Sequence, residues 1–68
     1  MDISTEIKVM LTRKQKTITW LAEQLGTSQA NISNKLKRND WRINEAIEIT
    51  RLLGYDMQIS FTEIDTQK

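Results

Sequence analysis

The chain has 68 residues, ten Lys and Arg against nine Asp and Glu, a net charge of +1, and neither Cys nor His. A chain of this length forms one domain and hides only about 60% of its unfolded surface, so its core is small. The missing Cys excludes disulfides and thiolate metal sites, and the missing His removes the usual general base and the commonest neutral metal ligand. No nucleophile–base pair or phosphate-binding glycine loop is present either, so the chain is expected to be no enzyme and to need no cofactor or metal. No apolar run approaches the ~20 residues of a membrane span, and no signal-peptide stretch opens the sequence. A soluble, reducing, cytoplasmic setting is expected.

Proline is absent, so glycine and polar clusters must mark the breaks. The first helix is predicted from about Ser4 to Lys14, with Ile3, Ile7, Met10 and Leu11 at helical spacing. Asp2, Ser4 and Thr5 are capable N-caps, and Glu6 suits the positive end of the helix dipole. The second helix is predicted from the capping Thr17 to Leu25, with Ile18, Leu21, Ala22 and Leu25 on one face. Gly26 stops it, because a residue just past a helix end often needs the left-handed backbone that glycine adopts freely.

The third helix begins almost at once, capped by Thr27 or Ser28, and runs to about Arg38. Ile32 and Leu36 point inward one turn apart, while Ala30, Ser33, Asn34 and Lys37 form a polar face with Gln29 at its leading edge. With two apolar anchors in ~10 residues, this helix must be held against its neighbours. "KRND" is a polar loop, followed by Trp41, expected to cap the core. A fourth helix follows from about Ile43 to Leu53, stopped by Gly54, with Ile43, Ala46, Ile47, Thr50 and Leu53 inward.

The period then changes. Met57, Ile59 and Phe61 alternate with Gln58, Ser60 and Thr62, the pattern of a half-buried strand. A lone strand leaves its hydrogen-bonding groups unpaired. It needs a second strand from the N-terminal segment or the same strand from another copy; an antiparallel pair about a two-fold axis is the favoured solution. The bland alternative is a tail that lays one or two apolar residues on the helices. The expected organisation is thus a helical domain over residues 1–54 and a strand and tail over 55–68. Met57, Ile59 and Phe61 are the expected dimer contacts.

Charge is segregated along the chain. Between Lys8 and Arg42 eight basic side chains meet two acids, a net of +6; the remaining residues hold two basic and seven acidic side chains, a net of −5. One strongly basic region in a near-neutral protein suits a polyanion.

Two short helices joined by a tight glycine turn make a helix-turn-helix. The stretch "TITWLAEQLGTSQANISNKL", Thr17 to Leu36, resembles the helix-turn-helix of the phage repressor and Cro family of DNA-binding proteins. The likeness rests on the capping Thr17, Leu21-Ala22, Leu25-Gly26, the polar Thr27-Ser28-Gln29 entry and Ile32-Ser33, and in helix order it extends from about residue 4 to 54. There are departures. Ile18 stands where the family usually carries a phosphate-touching Gln, and Trp20 where a polar residue is usual. Trp20 either packs beside the first helix or lies near the DNA backbone.

The resemblance implies a mainly α, four-helix repressor-like fold and a homodimeric transcriptional regulator of double-stranded DNA. Its third helix would enter the major groove of an operator. Gln29 would read adenine, Ala30 a thymine methyl group, and Ser33 and Asn34 the bases one turn further on. Phosphates would be met by Lys14, Lys16, Thr17 and Thr19 at the start of the second helix, and by Thr27 and Ser28 at the turn. Lys35, Lys37, Arg38, Asn39 and Arg42 would meet them at the exit of the third helix. Lys35 has a second option, covering the core with its aliphatic stem. The rival reading is an antitoxin or protein-interaction module using the acidic fourth helix and tail to hold a protein partner.

Overall fold

The computed structural model describes residues 2–64. Four helices follow in order: α1 (Ile3–Arg13), α2 (Ile18–Leu25), α3 (Gln29–Arg38) and α4 (Ile43–Leu52). Local chemistry sets each start. The Asp2 carboxylate accepts the Thr5 N–H, the Thr17 hydroxyl the Trp20 N–H, and the Ser28 hydroxyl the Asn31 N–H. Each removes one of the unpaired donors of a first helical turn. At α4 the capping position holds Arg42, which has no acceptor. There Glu45, three residues on, reaches back and accepts the Arg42 N–H at 2.9 Å.

A left-handed residue follows every helix: Gln15 (φ +56°), Gly26 (φ +69°), Asn39 (φ +54°) and Gly54 (φ +82°). Behind Gly26, the Thr27 N–H bonds back to the Ala22 carbonyl at 2.9 Å and closes the end of α2. Asn39 does at the end of α3 what glycine does elsewhere, as its short polar side chain tolerates this region.

α2 packs on α3, and α1 lies against both α3 and α4. Ile7 and Leu11 of α1, Leu21 and Ala22 of α2, Ile32 and Leu36 of α3, and Ile49 and Leu53 meet in one buried cluster. Burying each large aliphatic side chain stabilises the fold by roughly 1.5–3 kcal/mol. Ala22 is buried in this cluster, where a bulkier side chain would overpack the core. Trp20 and Trp41 pack on the rim of this cluster.

Two expectations need correction. The inner face of α4 is Ala46, Ile49, Thr50 and Leu53, whereas Ile43 is 57% exposed and Ile47 half-buried. The spacing 46, 49, 50, 53 is as regular as the one expected, and packing against the other three helices selects it. The second correction concerns the tail. Among the described residues no strand forms, and Met57–Phe61 runs on without regular structure. Met57 is half-buried, but Ile59 is exposed and Phe61 is 92% exposed. The molecule measures 50 × 23 × 18 Å. Helices of 8–11 residues are only about 12–17 Å long, so the long axis comes from the tail projecting off the helical body. Among the described residues no helix is long and apolar enough to cross a membrane.

Candidate nucleic-acid interface

The inward turn of Ile32 and Leu36 determines what α3 shows outside. Ala30, Asn34 and Lys37 are exposed and Ser33 half-buried. Their spacing, i, i+3, i+4 and i+7, puts them on one row of the helix surface. Gln29 is exposed as the first residue of α3, at the leading end of that row. The expected base-reading set thus shares one face, opposite the core.

Hydroxyl groups border this face. Thr17 and Ser28 each accept a backbone N–H, and the Thr27 hydroxyl accepts from the Asn31 side-chain amide at 2.9 Å. In each case an oxygen lone pair is used and the hydroxyl hydrogen is left to donate. Such donors at helix N-termini suit an anion, as does the positive end of the helix dipole. Thr19 is exposed in the first turn of α2.

The basic residues expected to meet phosphates separate into two groups. Lys37, Arg38 and Arg42 are exposed, and among the described residues none of them is ion-paired. The other group is engaged within the protein. The Lys16 ammonium stands 5.0 Å from the centroid of the Trp20 ring, so Trp20 is a packing residue that carries a cation on its face. Lys14 lies 5.0 Å from the centroid of Tyr55 and beside Gly54, at the C-terminal end of α4. Lys35 departs furthest from expectation. Its ammonium meets the Glu45 carboxylate at 2.6 Å and lies 5.8 Å from the Trp41 centroid, so it ties α3 to α4. Asn39 is likewise engaged. Its side-chain oxygen accepts the Ser4 N–H at 3.0 Å.

From the sequence Glu45 is expected only as an acid of the fourth helix for a protein partner, Asn31 is not singled out, and Ser4 is expected only as an N-cap. For the first the local signal is only half of a capping box, a Glu at the third helical position without a Ser or Thr cap before it, and Thr27 and Asn31 stand one turn apart for the second. Ser4 is buried because its hydroxyl accepts the Trp41 indole N–H at 2.9 Å, a contact across 37 residues that no local pattern announces.

The Lys35 ammonium, then the Arg42 N–H, hold the Glu45 carboxyl below the ordinary carboxylate range. A lowered pKa in the folded state means stability that is present at neutral pH and is lost as pH falls through the folded value. Glu45→Ala is expected to cost about 1–2 kcal/mol at pH 7 through the missing cap and the broken, half-exposed ion pair. Thermal melts of both proteins should converge as the pH is lowered below the carboxylate range.

No protein-family model, curated protein or solved structure matches this chain.

Proposed function

We propose that the protein binds double-stranded DNA sequence-specifically, as a small cytoplasmic transcriptional regulator of the repressor and Cro kind. In this reading α2, the Gly26–Ser28 turn and α3 act as a helix-turn-helix. α3 lies in the major groove, which at about 12 Å wide admits one helix. The observation that supports it most is the outward row of α3, bordered by hydroxyl donors and by three basic side chains with no acidic partner among the described residues. Gln29, Ala30, Ser33 and Asn34 read bases. Lys37, Arg38 and Arg42, with Lys16, Thr17, Thr19, Thr27 and Ser28, hold phosphates. Lys14 contributes charge from the α4 end, and Lys35 serves the fold.

The test is amide chemical-shift mapping with mixed-sequence duplex DNA at low and moderate salt. Shifts gathered on residues 16–19 and 27–42 that weaken with salt are expected, because phosphate contacts release counterions. Unmoved amides in those segments would refute the reading.

The active species is proposed to be a homodimer joined through the tail, with two copies of α3 about 34 Å apart on a roughly palindromic operator. Met57, Ile59 and Phe61 are the contacts, and the exposed Ile59 and Phe61 favour this assignment. Phe61→Glu is expected to give a monomer in sedimentation and a steep loss of operator affinity. Wild-type affinity in that monomer would remove the dimer from the mechanism. The same exposed tail supports the second reading, in which Phe61 and its neighbours engage a protein partner, as an antitoxin would.

A further inference from the structure

The two tertiary hydrogen bonds longest in sequence meet at one place. The Asn39 side-chain oxygen accepts the Ser4 N–H, and the Trp41 indole N–H donates to the Ser4 hydroxyl, over 35 and 37 residues. The Ser4 N–H is one of the unpaired donors in the first turn of α1, so it needs a partner on burial. The partner comes from the four-residue loop between α3 and α4, whose first residue is held left-handed. At its far end the loop is held by Glu45 on the Arg42 N–H. A short irregular segment is thus fixed at three points. Arg38, just before it, and Arg42, its last residue, are left without acidic partners among the described residues.

We propose that Asn39 and Trp41 are positioning residues for DNA binding. They lock the loop to α1, so that Arg38 and Arg42 are presented together to the phosphate backbone. This rests on the DNA-binding reading above and goes beyond it by giving Asn39 a part that involves no contact with DNA. Side chains and loops that are ordered beforehand lose less freedom on binding than loose ones.

The test exploits charge. The slope of log affinity against log salt counts the phosphates neutralised by cations, at about 0.9 per phosphate. Asn39→Gly keeps the left-handed backbone without steric cost and deletes the acceptor. It removes no charge, yet the slope is expected to shrink by between about one and two as the arginines leave their phosphates. Trp41→Phe keeps a ring in place, deletes the indole N–H, and is expected to shift the slope the same way by less. A neutral Asn39–phosphate contact, or a purely stabilising role measured well below the melting temperature, would leave the slope at its wild-type value. Circular dichroism at the assay temperature establishes that each variant is folded, and if Asn39→Gly is not, Trp41→Phe decides. Folded variants with the wild-type slope overturn the inference while DNA binding stands. A wild-type protein with no salt-dependent affinity for duplex DNA overturns both.

Discussion

Replacing Lys37, Arg38 and Arg42 together by alanine should lower affinity for duplex DNA on the order of 100-fold at physiological salt. Each phosphate that is no longer neutralised takes about 0.9 off the salt slope, so three take off between two and three. At an ionic strength near 0.15 M that difference compounds to the expected factor. The loss should be nearly the same for operator and for unrelated duplex, because phosphates carry no sequence. Gln29→Ala should behave in the opposite way. It keeps the slope and loses about 1–3 kcal/mol on the operator alone. Fluorescence anisotropy titrations of both variants over a salt series, on two duplexes, separate the two patterns. A triple variant with the wild-type slope would remove these three residues from the interface. None of them has an acidic partner among the described residues, so their removal breaks no ion pair there, and circular dichroism at the assay temperature checks that the variant is folded.

The second large effect concerns α4. Ile49→Ala should unfold most of the protein at 37 °C, whereas Ile43→Ala should change stability by no more than about 0.5 kcal/mol. Ile49 is 1% exposed, and truncating a buried isoleucine costs about 2–5 kcal/mol. A core of this size supplies a net stability of only about 3–5 kcal/mol. Thermal melts followed by circular dichroism would show the contrast, with a drop of about 15 °C or more for Ile49→Ala. Equal losses at the two positions would mean that α4 is turned differently about its axis.

That pair of residues marks the limit of what the sequence discloses. Helix boundaries were legible to within about one residue, because their signals are local. Asp2, Thr17 and Ser28 each cap a turn only three residues away, and Gly26 ends α2 by its own backbone preference. The outward row of α3 was legible for a related reason. It has only two strong apolar residues, Ile32 and Leu36, and they leave one choice of inner face. α4 and its C-cap carry Ile43, Ile47, Ile49, Leu52 and Leu53 around the circumference, so periodicity alone allows more than one face to be inside. Only packing against the other helices chooses. The roles of Asn39, Lys35 and Ser4 were hidden for the same reason, since their partners are 10 to 37 residues distant. Alternation in the tail predicted a strand, but a strand needs a neighbour, and a single chain offers Met57–Phe61 none among the described residues.

The bonds from Ser4 to Asn39 and Trp41 also set the timing of folding during synthesis. α1 is made first, and its 11 residues are too few to hold a helix alone. Its polar anchors are translated 35 and 37 residues later, which at ~5–20 residues per second is a delay of about 2–7 s. Helix formation takes about a microsecond, so the pace of the ribosome, not of the chain, governs closure. During that interval Leu21, Ala22, Ile32 and Leu36 become available to Ile7 and Leu11 one after another, but the polar anchors on Ser4 and the apolar cover from Ile49 and Leu53 come only after α3, so the inner face of α1 stays incompletely covered until then.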